Sequence, residues 1–114
     1  MSDCIFCHIV AGTIPATLVY EDDLVVAFDD INPQAPTHTL VIPRKHVTSI
    51  AKLEDLDVGL LGRLMLAGNK ISKLKGIADS GYRFVINTGA NGGQTVSHLH
   101  LHVLGGRHMA WPPG

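Results

Sequence analysis

Ser97-His98-Leu99-His100-Leu101-His102-Val103-Leu104-Gly105-Gly106 is the stretch that decides how this chain reads. Three histidines alternate with Leu99, Leu101 and Val103. Strict alternation marks a half-buried β-strand, because successive side chains point to opposite faces. The spacing puts His98, His100 and His102 on one face and the aliphatic residues in a core on the other. A row of imidazoles is a poor way to stabilise a fold. Each buried ring needs a hydrogen-bond partner, and each titrates near neutral pH. The row therefore reads as chemical equipment.

Working outward, Gly89-Ala90-Asn91-Gly92-Gly93-Gln94-Thr95 precedes the row. Gly92-Gly93 lets backbone approach a ligand closely, and its N–H groups suit phosphate oxygens. Gln94 and Thr95 add side-chain donors. Upstream, residues 82–88 read as a fourth strand and the histidine stretch as a fifth. Residues 17–20, 25–28 and 39–42 make three earlier strands, with Glu21-Asp22-Asp23 as a polar hairpin link and Pro43 as a stop. Ile5, Phe6, Ile9 and Val10 form one short helix closed by Gly12 and Pro15. The one long helix spans 54–75. Leu60, Leu64, Ala67, Ile71 and Leu74 form its core stripe, and Gly76 is placed as a C-cap. Leu61, Met65 and Gly68 make a second strip that either widens this face or meets another subunit. Short links and a single crossover helix predict an α+β fold with a five-stranded antiparallel sheet.

The 114 residues suffice for one domain over 1–114. A formal net charge of −1 offers no electrostatic footprint for nucleic acid or an anionic membrane. No apolar run approaches the ~20 residues of a membrane-spanning helix. The start, Met1-Ser2-Asp3-Cys4, lacks a basic stretch followed by an apolar one, so the expected compartment is the cytoplasm. There the Cys4-Ile5-Phe6-Cys7 spacing reads as half of a metal site or as a redox pair.

The chemistry follows from the row. A neutral imidazole can attack phosphorus and split one hard displacement into two easier ones. The ring must be held in one tautomer, for which a backbone carbonyl or a second imidazole suffices. Flanking histidines can orient it, bind phosphate oxygens or protonate a leaving group. His38 starts the third strand and either joins the cluster or lies on the surface. Of Asp29 and Asp30 at a strand end, one carboxylate suits the two hydroxyls of a ribose.

At His98-Leu99-His100-Leu101-His102-Val103-Leu104 the chain resembles the histidine triad (HIT) family, in its nucleotide-binding, purine nucleoside phosphoramidase branch. The stretches 30–38, Gly92-Gly93-Gln94-Thr95, Leu104-Gly105-Gly106-Arg107 and Trp111-Pro112-Pro113-Gly114 fit the same branch. The resemblance implies a homodimer whose two sheets join into one of ten strands. It implies His100 as nucleophile, giving a nucleoside monophosphate bonded to histidine, with His38, His98 and His102 in support. It puts Asn87, Gly93, Gln94 and Thr95 around phosphate and sugar, and Asp30 on the ribose hydroxyls. Ile5, Phe6, Ile9, Phe28 and Ile31 line a purine pocket, and Trp111 reaches toward the partner subunit's site. Histidine, not glutamine, at the third triad position favours hydrolysis over transfer. Purine nucleoside monophosphates or phosphoramidates are the implied ligands. Relatives that keep the cysteine pair hold a structural zinc with two more histidines, matching His46 and His98; no cofactor is implied for the chemistry. The alternatives are two reduced thiols instead of zinc, a metal-dependent hydrolase built on the His-x-His-x-His strand, and a non-enzymatic nucleotide-binding module.

Overall fold

The computed structural model describes residues 3–114. The elements are α1 (Ile5–Ala11), β1 (Leu18–Glu21), β2 (Val25–Asp29), β3 (Thr37–Pro43), α2 (Val58–Leu74), β4 (Tyr82–Val85) and β5 (Leu101–Gly105). Short 3-10 turns at Ile50–Lys52 and Asp55–Asp57 lead into α2. The five strands form one antiparallel sheet in the order β1-β2-β3-β5-β4. This is the expected α+β fold. No helix among the described residues is long and apolar enough to cross a membrane.

Period-two patterning sorts the side chains onto two faces. Val25, Ala27, Val41, Leu99, Leu101 and Val103 pack against Leu64, Ala67 and Ile71 of α2. On the other face Val26, Phe28, Leu40 and Ile42 pack against Phe6 of α1. The alternation across 98–103 thus puts Leu99, Leu101 and Val103 in the larger core, as expected, and turns the histidines toward α1.

Element ends differ from the sequence expectation where local hydrogen bonding intervenes. The strand at the row begins only at Leu101. Its partner β3 ends at Pro43, which has no N–H for a ladder, and the Pro43 carbonyl accepts instead from His98 Nε2 at 2.9 Å. The fourth strand stops at Val85, opposite His102, because β5 offers almost nothing further to pair with. The first strand starts at Leu18 and ends at Glu21, and the third is longer than expected because Thr37 and His38 pair with Gly105 and Leu104. The long helix starts at Val58. Asp57 reaches back to the Glu54 N–H at 2.9 Å and the Asp57 N–H donates to the Glu54 carbonyl at 2.8 Å, closing the first turn as 3-10.

Leu74 leaves the predicted stripe and is 67% exposed. The chain turns at Lys75 and Gly76 (φ 74°), and Ile77 fills the core in its place. The second strip divides: Met65 is exposed, whereas Gly68 is buried against β4 and β5. A Cβ on Gly68 would lie 2.6 Å from Phe84 Cζ, so only glycine permits this approach of helix to sheet.

Candidate active site and metal centre

The tautomers of the histidines follow from their fixed partners. His100 is buried, and its Nδ1 donates to the His98 carbonyl at 2.7 Å. A carbonyl only accepts, so the His100 proton sits on Nδ1 and Nε2 keeps its lone pair. His38 Nδ1 accepts from the backbone N–H of Gln34 at 3.0 Å. The neutral His38 ring therefore carries its proton on Nε2, which donates to His102 Nδ1 at 2.8 Å. That leaves the proton of neutral His102 on Nε2. Among the described residues this is the one buried side-chain nitrogen or oxygen without a partner. Burial, with the neighbouring His100 and His38, lowers the His102 pKa to about 4 against the pull of Asp30. Burial likewise lowers that of His38, opposed by Asp30. Both rings are neutral at pH 7, and an N–H waits for an acceptor beside a lone pair.

His100 and His102 border a cavity of about 880 Å³ between α1 and the end of β2. Its wall includes the expected Ile5, Phe6, Ile9, Phe28 and Ile31, with Asp30, Thr95, His100 and His102. Sequence reasoning missed Ile14, Pro15, Ala16, Thr17, Leu40 and Val96, which complete the wall. Leu40 was legible as an alternate residue of β3, two positions from His38. The segment 14–17 carries no motif and reaches the cavity only because α1 folds back over the sheet. An apolar slot of this kind accepts a flat ring by area with little polar discrimination. Asp30 Oδ1 accepts from the Asn32 N–H at 2.8 Å, and its Oδ2 lies 3.6 Å from His38 Nε2. Asp29 also borders the cavity, but both its oxygens are engaged, by Thr39 at 2.7 Å and Lys75 at 2.7 Å.

Several expected residues stand elsewhere. Asn87 and Gly93 do not line the cavity, and Gly93 N–H donates to the Ala90 carbonyl at 3.1 Å. Gln94 is a brace: its Nε2 donates to the carbonyls of Thr48 at 2.6 Å and Val96 at 3.0 Å, and its Oε1 accepts from Gly89 N–H at 3.0 Å. Gln94 N–H also donates to the Gly89 carbonyl, at 3.1 Å. Thr95 is the loop residue that borders the cavity by its side chain or backbone. Trp111, expected at the partner subunit's site and not at this one, is 82% exposed and does not line this chain's cavity.

The three triad rings do not converge. His98 turns its Nδ1 toward Cys4 Sγ at 3.3 Å and Cys7 Sγ at 3.6 Å, and His46 Nδ1 lies 3.1 Å from it. Cys7 Sγ is 3.2 Å from His46 Nδ1. His98 thus turns toward a second centre, apart from His100 and His102 at the cavity, while Asp30, His38 and His102 form a further group whose ligand atoms lie within 4.8 Å of one another. Tetrahedral zinc, with ~2.3 Å bonds to sulfur and ~2.0–2.1 Å to nitrogen, implies donor separations of about 3.3–3.8 Å. The separations above, 3.1–3.6 Å, lie near that spacing, and all four donors lie within 4.8 Å of one another. Since His98 Nε2 donates to the Pro43 carbonyl, its Nδ1 presents a lone pair to the centre, as a metal ligand must. The donor set fits a closed zinc site.

The sequence profile of the HIT domain matches residues 11–109. The chain is 50% identical over 115 residues to the 14 kDa zinc-binding protein of Zea mays, covering 99% of this chain and 89% of that protein. Its fold superposes on a HIT family hydrolase from Legionella pneumophila with a TM-score of 0.96 at 50% identity, over 98% of this chain and 100% of the other. A Zn-bound histidine triad family protein from Mycobacterium smegmatis superposes with a TM-score of 0.81 at 33% identity, over 92% of this chain and 76% of the other. A match along nearly the whole sequence, joined to half-identical relatives of the same length, leaves one assignment: the chain belongs to the HIT domain family.

Proposed function

We propose that this protein is a purine nucleoside phosphoramidase, a hydrolase that cleaves the P–N bond of nucleoside 5′-phosphoramidates such as adenosine phosphoramidate or adenylylated lysine-like amines, and by the same attack the P–O bond of aminoacyl adenylates. The observation that carries the reading is His100 at the cavity wall, its Nδ1–H on the His98 carbonyl and its Nε2 lone pair available. His100 Nε2 attacks phosphorus, the Nε2–P bond forms, and the P–N bond breaks with its electron pair leaving on the amine nitrogen, which takes a proton from water. Positive charge developing on the ring is stabilised at Nδ1–H by the His98 carbonyl. The Nε2–H of neutral His102 donates to a phosphoryl oxygen, oriented by His38 behind it. Water then cleaves the Nε2–P bond and releases the nucleoside monophosphate. The base lies between Ile5, Phe6, Ile9, Phe28 and Ile31, and Asp30 binds the ribose hydroxyls. Cys4, Cys7, His46 and His98 would hold a structural zinc, which supplies no step of the reaction. The related hydrolase of Legionella and the zinc-binding protein of maize support these two parts of the reading.

The working unit in this reading is a homodimer. β4 is an open sheet edge, which two copies can share to make a ten-stranded sheet, and exposed Trp111 then serves the partner subunit's cavity. Paired thiolates on zinc suit the reducing cytoplasm.

Intact-protein mass spectrometry after brief incubation with adenosine 5′-phosphoramidate, quenched without acid, tests the chemistry. The expected result is one adenylyl adduct, lost in His100→Ala. Product release at the wild-type rate from His100→Ala would remove His100 as nucleophile. Binding with neither adduct nor product would leave a nucleotide-binding module.

A further inference from the structure

We infer that the Cys4, Cys7, His46 and His98 centre sets the nucleotide affinity of the neighbouring cavity, so that metal and nucleotide tighten each other. The inference rests on the nucleotide reading above. It comes from which residues share an element. α1 spans seven residues, with Cys4 at its N-cap and Cys7 in its first turn, while Ile5, Phe6 and Ile9 of the same helix line the cavity. Cys4 Sγ accepts from the Cys7 N–H at 3.4 Å, so the metal donors also close the helix end. Phe6 is the buried side chain of α1, with Ile9 and Val10 partly buried beside it. So short a helix has little stability of its own. Two thiolates bound to a metal would hold it against the sheet.

A second connection runs through His98 and Phe6. The His98 ring faces the cysteines while its carbonyl holds His100 Nδ1. The Phe6 ring stands edge-on to both imidazoles, 5.8 Å from His98 and 5.3 Å from His100 between centroids. Loss of the metal frees α1, opens one wall of the cavity and loosens the residue that orients His100. The two-state element is α1, docked or frayed, and both ligands favour the docked state.

Coupling in this range changes affinity by about fivefold to 150-fold, and it is reciprocal. The experiment measures AMP binding by calorimetry to zinc-loaded protein, to protein stripped by a chelator, and to His46→Ala. His46 lies outside α1, does not line the cavity and meets His98 only on the side of the metal centre, so its loss weakens the metal without removing a cavity residue. The expected result is AMP affinity about tenfold weaker in the stripped and variant proteins. Chelator competition should show zinc held tighter by the same factor when AMP is present. Hydrogen exchange should quicken in α1 on stripping and stay slow in β2, β3 and β5. Equal AMP affinity with and without zinc, in folded protein, overturns the coupling and leaves the nucleotide reading intact. Unfolding of the whole sheet on stripping also overturns it, since zinc would then hold the fold and not the helix. Failure of AMP to bind zinc-loaded protein removes the nucleotide reading and the coupling with it.

Discussion

His102 shows what a single position owes to its surroundings. Its ring is fixed through His38 to the backbone of Gln34, three groups deep, and its outer N–H has no partner within the described residues. Its pKa near 4 lies below the ordinary value of 6.5, chiefly from burial. Between those values the unfolded chain binds the proton and the folded chain does not. The contribution to stability is complete above about pH 6.5 and is lost as pH falls through about 4. The melting temperature should therefore drop between pH 7 and pH 4, and drop less in His102→Gln; equal slopes in a thermal scan would clear His102 as a source. Gly68 gives a steric counterpart. Gly68→Ala forces a methyl to 2.6 Å from Phe84 Cζ and 3.1 Å from Leu101 Cδ2. Overpacking of this kind costs about 1–3 kcal/mol, read as a lower urea midpoint. Alternation in the sequence showed which way these histidines face. The tautomer of each ring was not legible, because it depends on donors and carbonyls from distant segments.

At the scale of elements, α2 separates what periodicity can and cannot place. Leu64, Ala67 and Ile71 are buried as their spacing requires, while Leu74 one turn later is 67% exposed. Ile71→Ala should cost about 2–5 kcal/mol, and Leu74→Ala should stay within about 0.5 kcal/mol. Urea denaturation of the pair checks the contrast; similar losses would mean that the last turn of α2 packs after all. The 89–95 loop suits phosphate by composition, and in the structure Gln94 braces it, from Gly89 to Thr48 and Val96. Gln94→Ala should loosen that loop and raise KM several-fold with a smaller change in kcat, because Gln94 acts on Thr95 and Val96 at the cavity wall; an unchanged KM would mean that the brace is dispensable. Glycine and glutamine in a loop look alike in sequence whether they hold a ligand or the loop.

Across the whole molecule, one short sequence serves two centres. The row His98 to His102 divides, with His98 going to the cysteines and His100 and His102 to the cavity. The open β4 edge and exposed Trp111 carry the dimer prediction. Sedimentation should give two chains per particle, and Trp111→Ala should raise KM while leaving that mass unchanged; a monomer with full activity would sink the shared-sheet arrangement. By itself the sequence determined the two periods, hence a half-buried sheet under one amphipathic helix, and the face shared by the histidines. Those readings hold because side-chain direction along a strand or helix is a local property. Only the tertiary structure decided that His38 stands behind His102, 64 residues away, and that His98 meets Cys4 across 94 residues. It alone assembled the cavity from α1, the segment 14–17 and three strands. Such pairings depend on how the elements pack, and no periodicity in a single stretch encodes which distant partner a ring nitrogen will find.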